Sequence, residues 1–255
     1  MNWFVFVLSI LLFSTSCNQV DSIDNQEPDS ETEIESQLEN INLNLRVHLM
    51  QSEPWVHPTG TEMSSWVTPS DIENIVIPEL NRIWEQARIT WNIESIIEEE
   101  IFKYDGYESS IEFIINTKRD EDGRSDPNRL PPLYYLMQPK HRSSASELNS
   151  NLYHIYLFPF IGNTSQGNAM RNFGYHSVVG VWTNKFNYGG IPEKTYLKED
   201  PNNFVRGSLS RTISHELGHV LQLRHTCNPC LMGSKGYNVL SEQIDISRAE
   251  ALRRY

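Results

Sequence analysis

The segment 215–225 constrains this chain more than any other, because it holds three histidines and a glutamate. His215 and His219 are four residues apart, so on an α-helix they lie on one face, one turn apart. Glu216 is about 100° around the helix from His215 and flanks that face. Imidazole ligands beside a carboxylate base are what a hydrolytic zinc site needs. His225 can complete the ligand set only if the helix ends and the chain turns before it. We therefore predict zinc ligands at His215, His219 and His225, with Glu216 as the catalytic base.

The sequence around the histidines predicts an amphipathic helix. Its apolar residues project opposite the histidines, so one side can pack in a core while the other lines a cleft; they are Leu209, Ile213, Leu217, Val220 and Leu221. Asp200-Pro201 predicts the N-cap and the first turn of this helix. Gly207 would weaken the first two turns.

The run from His215 to His225, followed by Met232, resembles the metzincin clan of zinc endopeptidases. Those enzymes carry the motif HExxHxxGxxH and a downstream methionine in a tight turn beneath the metal, the Met-turn. The short spacing between His225 and Met232 is more similar to matrix metalloproteases and their bacterial relatives than to other branches. The resemblance implies an α+β fold: a twisted mixed sheet, a long helix in the N-terminal half, an active-site helix and a C-terminal helix. It also implies one catalytic zinc ion.

Gln222 stands where the family motif has glycine. Glycine there permits the left-handed turn that ends the helix and brings the third histidine back. A non-glycine residue can adopt that conformation at a cost of about 1–2 kcal/mol. The alternative third ligand is a glutamate on a later helix, as in thermolysin-like enzymes, and the candidates are Glu242 and Glu250. We favour His225 and keep the glutamates as the alternative.

The motif predicts a zinc-dependent endopeptidase that hydrolyses peptide bonds of proteins. Zinc lowers the pKa of a water molecule to about 7, and Glu216 can take the proton and pass it to the leaving amine. No covalent intermediate is expected, because the motif supplies no nucleophile. Two alternatives stay open: a non-catalytic surface lipoprotein with a structural or vestigial zinc site, and a peptidase with a glutamate third ligand. Glu216 favours the enzyme, because a purely structural site does not need that carboxylate.

The N-terminus predicts export through a signal peptide that covers residues 1–17. Residues 3–13 are apolar except for Ser9, a run too short to span a bilayer but suited to a signal-peptide core. Small residues precede Cys17, which resembles the lipobox of bacterial lipoproteins, where the cysteine is lipidated. Ser14 replaces the usual leucine, and no Lys or Arg precedes the apolar run, so plain secretion is the alternative. We expect an extracytoplasmic protein that contacts a membrane only through a lipid on Cys17.

Residues 18–40 predict a disordered acidic tether. They contain eight acidic residues and no basic one. The whole chain carries a net charge of −12, and without the tether's −8 the remainder carries −4. A mildly acidic domain gives nucleic-acid binding no electrostatic support. The expected partner is instead a protein or peptide substrate.

Residues 41–255 are long enough for one catalytic domain with a substantial core. Apolar residues that alternate from Ile41 to Leu49 predict a half-buried strand. Ser70-Asp71 predicts the cap of a helix that Pro78 kinks, and the apolar positions of this helix are Ile72, Ile75, Val76, Leu80, Ile83 and Trp84. Further strands are predicted at 89–94, 111–116, 152–158 and 178–182, and a C-terminal helix at 241–254. The resemblance implies that an edge strand holds the substrate, and either of the last two strands is a candidate.

Cys227 and Cys230 form a CxxC pair just before Met232. In an oxidising compartment we predict a disulfide between them, with free buried thiols as the alternative. His154 and His176 lie in or beside predicted strands. We expect these two side chains to be packed or hydrogen-bonded rather than to bind a structural metal.

Overall fold

The computed structural model describes residues 39–101, 103–116, 130–137, 152–161, 167–170, 176–180, 197, 208–233 and 236–253. The chain divides into two units, 1–38 and 39–255. The first unit, which includes the predicted signal peptide and Cys17, lies outside the described residues, as does most of the predicted tether. No helix within the described ranges is long and apolar enough to cross a membrane.

The fold is mixed α/β, with a predominantly parallel five-stranded sheet and several helices. The strands of this sheet lie in the order β4-β1-β5-β7-β6. Their bounds are β1 Ile41–Gln51, β4 Ile89–Glu100, β5 Leu152–Phe158, β6 Gly167–Ala169 and β7 His176–Gly180. The pairs β1–β4, β1–β5 and β5–β7 are parallel, whereas β6 runs antiparallel to β7. A separate hairpin pairs β2 (Trp55–Val56) with β3 (Glu62–Met63).

The alternating pattern of β1 gives the half-buried strand that the sequence predicts. Ile41, Leu43, Leu45, Val47 and Leu49 are each at most 4% exposed. Their side chains belong to a core that also contains the apolar faces of two helices, α2 (Ile77–Trp84) and α5 (Leu209–Val220). A register shift between Leu45 and Arg46 interrupts the pairing of β1 with β4. The predicted strand at 89–94 is confirmed, and β4 continues beyond it.

The long helix of the N-terminal half begins earlier than predicted and contains a π-helical turn. Thr68, rather than Ser70 or Asp71, is the N-cap of α1 (Pro69–Asp71), and it forms a capping box with Asp71. A π-helical segment, Ile72–Val76, follows, in which the Ile77 amide donates to the Ile72 carbonyl. Pro78 then lies in the first turn of α2, where its missing N–H costs little. The kink predicted at Pro78 is therefore replaced by a change from π-helix to α-helix just before this proline.

The predicted strand at 111–116 is wrong, because these residues belong to helix α3 (Tyr107–Asn116). Ile111, Ile114 and Ile115 are buried at helical spacing, which a short apolar run does not distinguish from a strand. The strand predicted at 178–182 is β7, which begins two residues earlier; residues 181 and 182 lie outside the described ranges. The predicted strand at 152–158 and the C-terminal helix, α6 (Ser241–Arg253), are confirmed.

Strand β5 buries side chains on both faces of the sheet. Tyr153, Ile155 and Leu157 belong to the core with α2 and α5. Tyr156 and Phe158 belong to a second core with α3, helix α4 (Leu130–Leu136) and the hairpin. This double burial explains why the strand reads as an almost continuous apolar run.

His154 of β5 is buried in a hydrogen-bonded row, as expected for a packed strand histidine. Its Nδ1 lies 3.0 Å from His48 Nε2, and His48 Nδ1 lies 3.0 Å from Glu99 Oε1. The His48 ring also stacks on Tyr156 with 4.1 Å between ring centroids. The side chain of His176 lies outside the described part of the structure.

Candidate metal centre

Helix α5 carries the motif and starts at Leu209, not at the predicted Asp200-Pro201, which lies outside the described residues. Ser208 is its N-cap, and the Ser208 hydroxyl oxygen accepts from the Arg211 amide at 3.2 Å. The predicted apolar face is confirmed, since each of its five residues is at most 1% exposed: Leu209, Ile213, Leu217, Val220 and Leu221. Burial of this face against the sheet leaves the histidine face of the helix for the site.

The end of α5 is a Schellman motif built on a non-glycine residue. Gln222 has φ of 69°, in the left-handed region. Its amide donates to the His219 carbonyl at 3.1 Å, and the Leu223 amide donates to the Gly218 carbonyl at 2.9 Å. Gln222 therefore makes the turn that the family motif assigns to glycine, and the chain after it returns towards the helix.

The three motif histidines converge at this turn. His225 Nε2 lies 3.0 Å from His215 Nε2 and 3.0 Å from His219 Nε2. One ligand atom from each ring lies within 4.8 Å of the other two. Tetrahedral zinc with Zn–N bonds of about 2.0–2.1 Å places its nitrogen ligands about 3.3 Å apart, so this spacing fits the ion.

The other nitrogens of two of these rings are held by backbone carbonyls. His215 Nδ1 lies 2.8 Å from the Leu231 oxygen, and His219 Nδ1 lies 2.9 Å from the Leu223 oxygen. A carbonyl only accepts, so each Nδ1 carries the proton and each Nε2 presents a lone pair. This tautomer is the one in which His215 and His219 can donate to a metal.

The protonation state of His215 also leaves its Nε2 lone pair available for a metal. Burial, together with a smaller contribution from the neighbouring His219, lowers the pKa of the His215 imidazole to about 3. The ring is therefore neutral at pH 7, with a lone pair available for a metal ion. A protonated ring would offer none.

Glu216 is buried beside the edge of the sheet. Its side chain is next to Gly167 of β6: a Cβ atom placed on Gly167 would lie 2.5 Å from Glu216 Cγ and 2.7 Å from Oε1. Strands β6 and β4 are the two edge strands of the described sheet, whereas β5 and β7 both lie inside it. The prediction that one of those two strands is the edge is therefore wrong, since sheet order depends on pairings that are not local in sequence.

Met232 lies beneath the helix in a tight turn. The Gly233 amide donates to the Cys230 carbonyl at 3.0 Å, which closes a four-residue turn with Met232 in its third position. The Met232 side chain is fully buried, and a Cβ atom placed on Gly218 would lie 2.5 Å from its sulfur. The methionine thus packs under α5 at Gly218, the residue that directly precedes His219.

A disulfide joins Cys227 to Cys230, with 5.7 Å between the two Cα atoms. It links the segment after His225 to the first residue of the Met232 turn. The peptide bond between Asn228 and Pro229, inside this small ring, is cis.

The two alternative third ligands are not part of this cluster. Among the described residues, the group that could hold a metal comprises His215, His219 and His225. Glu250 of α6 instead forms an ion pair with Arg253 at 2.8 Å. Glu242 is exposed in the first turn of the same helix.

Sequence reasoning missed four groups at this site. The carbonyls of Leu231 and Leu223 carry no sequence signal, because every residue has one. Gly167 comes to Glu216 through the antiparallel pairing of β6, which is not local. Arg211 could have been found, because it lies one helical turn before His215 on the same face.

No protein-family model matches this chain, and no curated protein matches it. Among solved structures, the chain is similar to the zinc-dependent peptidase from Methanocorpusculum labreanum (strain Z). The two share 16% sequence identity with a TM-score of 0.40, over 81% of this chain and 99% of that chain.

Proposed function

We propose that this protein is a zinc-dependent endopeptidase. The observation that carries the proposal is the convergence of the His215, His219 and His225 Nε2 atoms at the end of a helix that also carries the buried Glu216. The positions of the histidines have separate causes in the sequence. Helical spacing brings His215 and His219 together, and the left-handed Gln222 brings His225 back to them. In this proposal the three histidines hold one zinc ion, as the motif predicts, and Glu216 is not a ligand.

Zinc, when bound, supplies a Lewis acid that lowers the pKa of water to about 7 and polarises a peptide carbonyl. Glu216 does the proton chemistry. Its carboxylate accepts the proton of the attacking water and then delivers it to the nitrogen of the leaving amine. Its position beside Gly167, with no side chain between them, keeps the carboxylate close to the sheet edge. Met232 packs against the helix at Gly218 and has no role in the proton transfers.

We further propose that the substrate is an extended segment of a protein, bound along β6. This strand is one of the two edges of the described sheet, the one next to Glu216, and an extended peptide can pair with such an edge through main-chain hydrogen bonds. Gly167 lies on that strand beside Glu216, so a peptide paired with β6 would run past the catalytic base. This arrangement supports cleavage within a chain rather than at its end.

We propose an extracytoplasmic location, with the domain attached through a lipid on Cys17 or secreted without it. The Cys227–Cys230 disulfide supports this location, because such bonds persist in oxidising compartments. The acidic residues of 18–40 then form a solvated spacer between the membrane and the catalytic domain.

The test is cleavage of an unfolded protein substrate by the purified full-length chain. We expect one zinc ion per chain, cleavage that stops with a chelator, and recovery when zinc is added back. Zinc binding without cleavage would favour the alternative of a non-catalytic protein with a structural metal site.

A set of ligand variants separates this proposal from a glutamate-liganded peptidase. His225→Ala should weaken zinc affinity strongly, because it removes one of three protein ligands. Glu242→Ala should leave zinc affinity unchanged, and so should Glu250→Ala, since neither carboxylate belongs to the cluster. Loss of zinc in a glutamate variant, with zinc retained in His225→Ala, would assign the third ligand to the C-terminal helix.

A further inference from the structure

Arg211 is a buried arginine on the active-site helix whose guanidinium is directed at the Met232 turn. It is 5% exposed and lies one helical turn before His215. Its Nε donates to the Gly236 carbonyl at 2.8 Å. Its Nη2 lies within hydrogen-bond distance of three more carbonyls, at 2.7 Å for Gly233, 3.1 Å for Leu231 and 3.3 Å for Cys230.

These acceptors enclose Met232 in the sequence. Leu231 precedes Met232 and Gly233 follows it, so one guanidinium holds the carbonyls of the residues on both sides of the methionine. Removal of the guanidinium would leave several buried carbonyls without this donor. The loss of stability from such carbonyls exceeds the net stability that the hydrogen bonds contribute. The position of the Met232 sulfur under Gly218 therefore depends on Arg211.

The Leu231 carbonyl connects Arg211 to the metal centre. This oxygen accepts from His215 Nδ1 at 2.8 Å and from Arg211 Nη2 at 3.1 Å. A carbonyl oxygen has two lone pairs, so both hydrogen bonds can form together. Arg211 fixes the oxygen, and the oxygen fixes the orientation and tautomer of the His215 ring.

We propose that Arg211 is a positioning residue for the metal ligand His215, acting through the shared Leu231 carbonyl. This inference rests on the proposed zinc site. Arginine is required there because its planar fork offers several donors in fixed directions, whereas a lysine ammonium is one compact point charge. Arg211 touches neither the metal nor the substrate, and its effect appears first in the affinity and geometry of the metal site.

The test compares two variants of the full-length protein, Arg211→Lys and Arg211→Met, with the control Arg248→Lys. Arg248 is a matched control, since it is also buried and donates to three backbone carbonyls, those of Ala87, Arg88 and Glu39. These bonds join α6 to the residues just before β1 and β4, and they do not involve the three motif histidines. Zinc affinity is measured by competition with a chromogenic chelator, and ligand geometry by the visible spectrum of the cobalt-substituted protein.

We expect zinc affinity to fall by about 10–100-fold in both Arg211 variants, as for other groups that orient metal-bound histidines. The cobalt spectrum should change in Arg211→Lys, and kcat should fall more than KM rises. Arg248→Lys should lose stability and keep zinc affinity and spectrum.

Two results would overturn the inference. One is that Arg211→Lys lowers stability as Arg248→Lys does while zinc affinity and the cobalt spectrum stay as in the parent. The other is that all three variants lose zinc to the same extent, which would make the effect general unfolding. Failure of the parent protein itself to bind zinc is a separate outcome, and it would overturn the proposed function as well.

Discussion

The Nε2 atoms of His215 and His225 lie 3.0 Å apart, although ten residues and a helix end separate them. The turn that joins them has a non-glycine residue, Gln222, at φ of 69°. The hydrogen bonds that close this turn come from the Gln222 and Leu223 amides. The His225 ring, which we propose as the third ligand, is thus positioned by the way the helix ends.

Replacement of Gln222 by glycine should stabilise the protein by up to about 1 kcal/mol. Glycine removes a left-handed penalty of about 1–2 kcal/mol, and part of that gain is offset by the entropy of the unfolded chain. The matched control is Arg224→Gly, at an exposed residue outside the left-handed region, which should destabilise. The free energy of unfolding from urea titration tests this prediction. Destabilisation by both Gln222→Gly and Arg224→Gly would contradict the left-handed role of Gln222.

Replacement of Gly167 by alanine should reduce kcat/KM at least tenfold while zinc affinity is retained. The new Cβ would lie 2.5 Å from Glu216 Cγ, so the carboxylate that we propose as the catalytic base must move, and small displacements of catalytic groups are costly. In a Glu216→Asp background, the side chain is one methylene shorter. Gly167→Ala should therefore reduce kcat/KM by a smaller factor there than in the parent. Equal activity of Gly167→Ala and the parent would show that Glu216 does not need this position.

Much of the fold follows from local pattern, and the errors have physical causes. Strands β1 and β5 and helix α6 were predictable because alternation, continuous apolar runs and helical spacing are all local patterns. The strand predicted at 111–116 is part of helix α3, and the error arises because the isoleucines there form a short apolar run. The edge position of β6 was not predictable, because it depends on which strand pairs with β7.

The candidate site divides in the same way. Helical spacing predicts that His215 and His219 share a face, and the motif predicts that His225 returns to them. The carbonyls of Leu231 and Leu223, which orient two of the rings, depend on how the backbone folds. No side-chain identity could have pointed to them.

Replacement of Gly218 by alanine should destabilise the parent protein and stabilise a Met232→Ala variant. In the parent, the new Cβ would lie 2.5 Å from the Met232 sulfur, and such overpacking costs about 1–3 kcal/mol. With the sulfur removed, the better helix propensity of alanine, about 1 kcal/mol, is all that remains. The free energy of unfolding, measured in the presence of a chelator, gives both effects. A change of the same sign on Gly218→Ala in the two backgrounds would refute the contact between Gly218 and the Met232 sulfur.

Acid should weaken the protein through the Arg46–Glu94 ion pair. Hydrogen bonding to Arg46 lowers the pKa of Glu94 to about 2, with a further contribution from Ser95. A lowered carboxyl pKa contributes stability above the unfolded pKa of 4.5, and this stability is lost as pH falls towards 2. Glu94 is 40% exposed, so solvent screening limits the effect to less than about 1 kcal/mol. Glu94→Gln should flatten the pH dependence of unfolding between pH 5 and 2; an unchanged slope would contradict the assignment.

The most direct test of the zinc peptidase account measures zinc content and protein cleavage together in the Glu216→Gln variant of the full-length chain. Glutamine keeps the size of the side chain and removes its ability to accept a proton. We expect one zinc ion per chain, as in the parent, with cleavage reduced by at least about 100-fold. Cleavage at the parent rate with zinc bound would contradict the role of Glu216, and loss of zinc would show that Glu216 is a ligand rather than the base.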